Sequence, residues 1–77
     1  HFVLFEKEKP LPVQIAHTLT DPDTLNRELN GLHHACKKLK TKKGIIITTT
    51  PRKDEIVAGI NVKYLSAVDF VLNISGV

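Results

Sequence analysis

Five lysines within the segment KKLKTKKG are the side chains of this sequence best suited to a chemical role, namely contact with a polyanion. They are Lys37, Lys38, Lys40, Lys42 and Lys43. Charge at this density would neutralise several phosphates of a nucleic acid without reading its sequence. The same residues also suit the end of a helix, where the dipole is negative and the last carbonyl groups lack partners. No aromatic residue alternates with the lysines to stack on bases, so both interpretations stay open.

Positive charge is concentrated in the second part of the chain. Residues 31–77 contain eight Lys or Arg and three acidic residues. Residues 1–30 contain three Lys or Arg and five acidic residues. The formal net charge of the whole chain is +3. This asymmetry would steer a phosphate backbone toward one end of the domain.

The other nucleophilic or metal-binding residue types form no catalytic pattern. Cys36 is the only cysteine, so no internal disulfide can form, and its predicted place on an apolar helix face suits a small buried side chain. His33 and His34 are adjacent and diverge by about 100° on a helix, which prevents them from sharing one zinc ion. Ser66 precedes Asp69 by three residues, a spacing typical of a helix cap. The sequence also has no Gly-rich phosphate loop, so we assign no catalytic, cofactor-binding or metal-binding residue and expect no cofactor on this chain.

The elements that would position these side chains begin with a predicted hairpin. Residues 1–7 and 11–18 are rich in apolar, β-branched and aromatic residues, and residues 8–10 between them read Glu-Lys-Pro, which suits a turn. In the second run Val13 and Ile15 alternate with Gln14. Because side chains alternate between the faces of a strand, we expect Gln14 to point away from Val13 and Ile15.

A helix is predicted next, from a capping pattern and an apolar stripe. Asp21 suits the N-cap and Pro22 the first helical position. Five residues then recur at spacings of four, three, four and three: Leu25, Leu29, Leu32, Cys36 and Leu39. This stripe should cover a sheet. Gly31 lies inside the helix at a cost of about 1 kcal/mol relative to Ala, and Gly44 is expected to end it in the left-handed conformation.

The second half of the chain predicts three strands and a short helix. The run Ile45–Ile47 has no polar face, which indicates a strand covered on both sides, and Pro51 is expected to stop its pairing. Residues 55–58 and 60–65 flank Gly59 as a second hairpin, and the short helix follows Ser66. The order of elements predicts one α/β or α+β domain over residues 1–77, with a small mixed sheet and the long helix in a right-handed crossover.

Composition places the chain among folded globular domains. Its 42% apolar and 25% charged content is ordinary for such domains, and 77 residues permit only a thin core. Because the sequence has no Met and opens within a strand pattern, we expect it to be a fragment of a longer protein. No stretch has the length of a membrane span or the features of a targeting segment, and the single cysteine favours the cytoplasm.

Four stretches between residues 12 and 72 carry a further signal: PVQIAHTLTDP, RELNGLHHACKKL, KKGIIITT and DEIVAGINVKYLSAVDFVL. Together they resemble the C-terminal domain of a large family of prokaryotic AAA-type P-loop ATPases, a domain of unassigned function. The resemblance implies a restriction-endonuclease-like core attached to an ATPase domain elsewhere in the parent chain. That ATPase domain would be a partner, and ATP and Mg²⁺ would be cofactors of the parent chain.

The resemblance also implies where a nuclease site would lie. In active members of that superfamily one strand supplies an Asp and the next supplies Glu-x-Lys, because two carboxylates hold Mg²⁺ while the lysine supports the attacking water. Here the second strand has Gln14 at this position and no lysine, and the Asp position falls at or before His1. We therefore expect a non-catalytic accessory domain that contacts nucleic acid or a protein partner. The alternative is a metal-dependent nuclease completed by residues upstream of His1.

Overall fold

The computed structural model describes residues 2–50 and 52–75, in which a five-stranded mixed sheet is combined with two helices. The strands are β1 (Phe2–Glu6), β2 (Lys9–Ala16), β3 (Lys43–Thr48), β4 (Glu55–Val57) and β5 (Ile60–Leu65), and the helices are α1 (Pro22–Leu39) and α2 (Ala67–Ser75). The sheet order is β1-β2-β3-β5-β4. The central strand β3 is parallel to β2 and β5, while the two outer pairs are antiparallel. The predicted order of elements and the mixed sheet are confirmed, with α1 in the crossover between β2 and β3.

Both hairpins close through two residues with positive φ. Lys7 and Glu8 have φ values of 52° and 69°, and Ala58 and Gly59 have φ values of 50° and 80°. Two consecutive positive φ values are the signature of a type I′ turn, whose twist matches that of the flanking strands. The first turn therefore lies at Lys7 and Glu8, and its predicted position at residues 8–10 was wrong.

The proline expected in the first turn lies inside β2 instead. Pro10 is opposite Phe5, and Pro12 is opposite Val3. Since the two prolines are two residues apart, they occupy equivalent positions of the antiparallel ladder, and the parallel pairing with β3 begins only at Val13. We infer that both occupy non-hydrogen-bonded pairs, where the missing N–H leaves no ladder bond unmade.

Helix α1 begins as predicted and ends differently. Asp21 is the N-cap, and its Oδ1 accepts a hydrogen bond from the Asp23 amide at 3.2 Å. At the other end Lys40 takes the left-handed conformation, with φ 57° and ψ 43°, and its N–H points to the carbonyls of Cys36 and Lys37. The prediction that Gly44 ends the helix was therefore wrong, because Gly44 belongs to β3.

The sheet is packed on both faces, and each face has its own helix. On the α1 face the fully buried side chains are Leu32, Cys36 and Ile46. On the opposite face Phe70 of α2 packs with Val13, Ile45 and Ile47 among others. The run Ile45–Ile47 is therefore divided between two apolar clusters, which confirms that this strand is covered on both sides.

The apolar stripe of α1 is confirmed, although it is not uniformly deep. Leu32 and Cys36 are completely buried, while Leu25, Leu29 and Leu39 are partly buried. Ala35, which lies outside the predicted stripe, is also buried. The two most deeply buried members lie at the middle of the stripe, where the helix crosses the centre of the sheet.

Gly44 allows this close approach between α1 and β3. A Cβ at position 44 would lie 2.6 Å from Cδ1 of Leu32 and 2.8 Å from its Cγ. Contacts this short do not occur, so any larger residue would force Leu32 out of its position. Gly44 is therefore required for packing rather than for a turn.

Helix α2 begins at the predicted cap. Ser66 Oγ accepts a hydrogen bond from the Asp69 amide at 3.1 Å, which satisfies one free donor of the first turn. The expectation that Pro51 ends a strand falls on a residue outside the described ones. Among the described helices, none combines the length and the apolar character needed to cross a membrane.

Candidate functional site

Four of the five predicted contact lysines surround the C-terminal end of α1. Lys37 and Lys38 lie in its last turn, Lys40 is the C-cap, and Lys42 follows in the link to β3. All four are exposed. The link between α1 and β3 is fixed by backbone bonds: the Thr41 amide donates to the Cys36 carbonyl at 2.9 Å, and the Lys42 carbonyl accepts from Asn61 at 2.8 Å. The four lysines, named here the lysine end, are thus held on an ordered support.

Among the residues that the structure describes, no carboxylate pairs with the lysine end. Within residues 2–50 and 52–75 the ion pairs are Lys43 with Glu6 at 3.1 Å and Arg52 with Glu55 at 3.6 Å. Neither pair includes a member of the lysine end. In the described part of the chain these four ammonium groups therefore remain available to an external anion.

Lys43, the fifth predicted contact residue, is separated from the others. It lies in β3, where alternation places it on the same face as Ile45, and that face is covered by α2. Its Nζ donates to Glu6 Oε1 at 3.1 Å. The cluster of lysines in the sequence is therefore divided in the structure into the lysine end and one lysine on the other side of the sheet.

The basic surface continues along the outer side of α1. Arg27 and His34 are exposed and seven residues apart, which places them on one stripe of the helix with Lys38 four residues further on. The helix has 18 residues, so this stripe extends well beyond its last turn. Both side chains face outward, and the sequence pattern alone had not joined them to the lysines as one surface.

Gln14 connects β2 to α1. Its side chain lies, as predicted, on the other face of the sheet from that of Val13. Its Nε2 donates both to the Glu28 carbonyl and to Glu28 Oε2, each at 3.1 Å. Gly31 makes room for this amide, since a Cβ there would lie 2.8 Å from Nε2. This contact explains the glycine inside the helix and gives Gln14 a structural role.

A groove of about 460 Å³ lies beside Gln14, between α1 and β1. Val3, Ala35 and Leu39 form an apolar wall, and His34 and Lys38 bring donors to it. The groove is open to solvent, and Lys38 belongs both to its lining and to the lysine end.

Cys36 shows the properties expected of a buried structural residue. It is completely buried, and its Sγ lies 3.5 Å from the Lys43 carbonyl, to which it donates a weak hydrogen bond. Burial raises the pKa of the Cys36 thiol, which disfavours the reactive thiolate. The prediction of a small buried side chain is confirmed.

A buried tyrosine forms a polar cluster that the sequence pattern did not reveal. Tyr64 donates a hydrogen bond from its hydroxyl to Glu55 Oε2, and the Arg52 guanidinium lies 5.3 Å from the centre of its ring. Burial raises the pKa of Tyr64 well above its usual value, and the bond to Glu55 adds to this effect. The hydroxyl therefore stays protonated and acts as a donor that ties β5 to β4.

Threonine hydroxyls join the carboxyl ends of β2 and β3. Thr48 Oγ1 and Thr49 Oγ1 both donate to the His17 carbonyl, and Thr50 Oγ1 accepts from the Leu19 amide at 2.9 Å. These bonds fix the chain where it leaves the sheet toward α1. His17 therefore contributes its backbone carbonyl, as the acceptor, to this junction between the two strands.

The chemistry of metal ions requires several suitable side chains in one place. In the two described ranges, no three or more His, Cys, Asp or Glu side chains form a group that could hold a metal ion. The expectation that the chain carries no metal or other cofactor remains a prediction.

Comparison with known proteins supplies no relative for this chain. No protein-family model, curated protein or solved structure matches it. The resemblance to the C-terminal domains of prokaryotic AAA-type ATPases therefore remains a prediction.

Proposed function

We propose that these residues form a non-catalytic accessory domain that contacts the phosphate backbone of nucleic acid through the lysine end. The observation that carries the proposal is the exposure of four neighbouring lysines that have no carboxylate partner within the described residues. Lysines that neutralise phosphates release the counterions condensed on the nucleic acid, and this release supplies affinity without sequence specificity.

The helix dipole accounts for only part of the lysine end. Lys37 and Lys38 lie in the last turn of α1, where a positive charge is stabilised by the negative end of the dipole. Lys40 is the C-cap and is stabilised in the same way, whereas Lys42 lies two residues beyond it in the link to β3. Together with Arg27 on the outer side of α1, they favour a surface that serves an external polyanion.

We also propose that the domain is appended to a prokaryotic AAA-type ATPase and works in the cytoplasm. The four stretches of resemblance correspond to β2, α1, β3 and the segment from β4 to α2, so they follow the order of the folded elements. The ATPase domain would bind ATP and Mg²⁺, and the present residues would bring nucleic acid to it.

Removing the lysine charges is expected to weaken nucleic-acid binding. We expect wild type to bind a short duplex with a Kd of roughly 10⁻⁴ to 10⁻⁶ M near physiological salt. The Lys38→Gln, Lys40→Gln, Lys42→Gln triple variant should bind about tenfold more weakly, with a slope of log K against log salt that is shallower by about 2 to 3. Fluorescence anisotropy at several salt concentrations, with duplex and single-stranded probes, measures both quantities.

A charge removed elsewhere provides the control for this experiment. Lys53→Gln changes one exposed lysine in the segment before β4, and it should alter affinity less than Lys40→Gln does. Circular dichroism should show all variants folded. Equal binding of wild type and triple variant at low salt would mean that the lysine end is only a solvated helix terminus.

The alternative function, a metal-dependent nuclease, predicts a different result. We expect no Mg²⁺-dependent nicking of plasmid DNA and no tight binding of Mg²⁺ in calorimetry, because both N–H groups of Gln14 serve Glu28 and an amide oxygen is a weak ligand for Mg²⁺. Gln14→Ala should lower the free energy of unfolding by about 1 kcal/mol through the lost hydrogen bonds. Metal-dependent nicking that disappears in Gln14→Ala would favour the nuclease instead.

A further inference from the structure

Helix α1 packs over β2 and β3, and the edge strand β1 is left partly open on the same face of the sheet. The groove of about 460 Å³ between α1 and β1 lies in this opening and is named here the α1–β1 groove. Val3, Ala35 and Leu39 give it an apolar wall. A concave site of this volume, apolar with a few polar groups around it, is typical of sites that take a small molecule or one group of a larger ligand.

An exposed aromatic ring stands beside this groove. Phe5 follows Val3 by two residues in β1, so its ring lies on the same face of the sheet. The ring side chain exposes 73% of its surface. Phe5 is opposite Pro10 near the start of β2, and the parallel pairing of β2 with β3 brings this end of the sheet next to the start of β3, which the lysine end precedes. The fold therefore brings an aromatic ring, distant in sequence, to the same end of the domain as the lysines.

Positive charge at the α1–β1 groove is not neutralised by the residues that line it. Lys38 belongs both to the lining and to the lysine end, and His34 lies one turn before it. No acidic residue is among the described lining residues. Glu28 lies ten residues before Lys38 on α1, which corresponds to about 15 Å along the helix, and Glu8 lies in the exposed turn after β1 between two lysines. A phosphate at this end of the groove therefore meets net positive charge.

Gln14 adds a hydrogen-bond acceptor to the same lining. Its Nε2 donates to the carbonyl and the carboxylate of Glu28, whereas its Oε1 has no partner within the described residues. Because no buried side-chain polar atom in these residues lacks a partner, Oε1 is accessible to solvent. Every nucleobase has an N–H group on its pairing edge, and this group is free to reach such an acceptor only when the base is unpaired.

We propose that the lysine end holds the phosphates of a single-stranded nucleic acid while two successive unpaired bases bind beside it, one stacked on Phe5 and the next in the α1–β1 groove. This inference rests on the proposed function and names its ligand as a single strand. Stacking on an aromatic ring tolerates any sequence, because every base has a flat face. A duplex keeps its bases stacked and paired, so it offers phosphates to the lysines but no base to Phe5.

Three fluorescein-labelled probes of twelve nucleotides test the ligand. They are a single strand that cannot pair with itself, the same strand in a duplex, and a strand in which abasic tetrahydrofuran units replace the nucleosides. Near physiological salt, anisotropy should show the single strand bound at least about threefold more tightly than the duplex and at least about tenfold more tightly than the abasic strand. A duplex has the higher charge density, so binding through phosphates alone predicts the opposite order for the first comparison.

Variants of two equally exposed apolar side chains locate the bases on the surface. Phe5→Ala should weaken single-strand binding about tenfold and change duplex binding less than about twofold, while Phe5→Tyr, which keeps an aromatic ring, should stay within about twofold of wild type. Ile56 also exposes 73% of its surface and lies on the opposite edge strand β4, so Ile56→Ala should alter neither affinity. In a ¹⁵N spectrum the single strand, but not the abasic strand, should shift the amide signals of Val3, Ala35 and Leu39.

The outcomes separate this inference from the proposed function. If the lysine triple variant loses binding but wild type binds the abasic strand or the duplex as tightly as the single strand, the phosphate contact stands and the base contact is wrong. A loss in Phe5→Ala that is equal for single strand and duplex, or no larger than the loss in Ile56→Ala, would also overturn the inference. Absence of binding to all three probes at low salt would contradict both proposals.

Discussion

Replacing Leu32 with Ala is expected to lower the free energy of unfolding by about 2 to 5 kcal/mol. Leu32 is completely buried between α1 and the sheet, where it lies against Gly44 and the other side chains of the α1 face. Truncation removes apolar contacts and leaves a cavity that the neighbouring elements fill only in part. A domain of this length has a total stability of roughly 4 to 12 kcal/mol, so this single change removes a large part of it.

Urea denaturation followed by circular dichroism measures the effect of Leu32→Ala. Val68→Ala is the control, because it also shortens an apolar helical side chain, but one that exposes 68% of its surface. It should change stability by less than about 0.5 kcal/mol. If Leu32→Ala costs no more than the control, the packing of α1 on the sheet is different from that described.

Adding a methyl group at Gly44 is also expected to destabilise the domain, through overpacking rather than through a cavity. In Gly44→Ala the new Cβ would lie 2.6 to 2.9 Å from three side-chain atoms of Leu32, which is completely buried. Overpacking of this kind typically costs about 1 to 3 kcal/mol, and three short contacts favour the upper part of that range. Urea denaturation again gives the value.

The double variant Leu32→Ala, Gly44→Ala separates this clash from other effects. Since Leu32→Ala removes the atoms that the new methyl group meets, the two changes together should cost less than the sum of their separate costs, by about 1 kcal/mol or more. Gly59→Ala is the control, because a Cβ at Gly59 meets nothing within 4 Å and its φ of 80° strains the backbone alone. Its cost should add to that of Leu32→Ala, and additivity in both pairs would contradict the role given to Gly44.

The elements that the sequence predicted are those determined by local chemistry. Asp21 and Pro22 specify the start of α1 through capping and backbone geometry, and the spacing of Leu32 and Cys36 specifies its buried side. The run Ile45–Ile47 indicated a strand covered on both sides without reference to any other part of the chain. Each of these signals acts within a few residues, so pattern alone was sufficient.

The features that the sequence did not predict depend on contacts between distant elements. Gly44 resembles a helix-ending glycine until Leu32 of α1 is placed against it, and Gly31 has no explanation until Gln14 of β2 lies beneath it. Lys40 takes the left-handed conformation that glycine usually fills, because the chain must turn there to enter β3. Tertiary packing overrides local preference at all these positions.

The candidate sites were predictable only in part, because they too depend on contacts between distant elements. Charge density identified the lysine end, but only the alternation of β3 shows that Lys43 lies on the other face of the sheet. How much of that face α2 covers likewise depends on packing between distant elements, which no local pattern records. Tyr64 and Glu55 likewise meet because β4 and β5 pair in one register.

The position of β3 has a consequence for the order of folding events. Each outer pair of strands is a local hairpin with a two-residue turn, so it can form on a microsecond scale without the rest of the chain. The strand β3 joins these hairpins through Val13 with Ile45 and through Ile45 with Lys63, which are pairings of residues distant in sequence. Closing such loops costs entropy before any packing compensates for it. We therefore infer that the pairing of β3 with both hairpins, each only marginally stable alone, is the step that makes the sheet one cooperative unit.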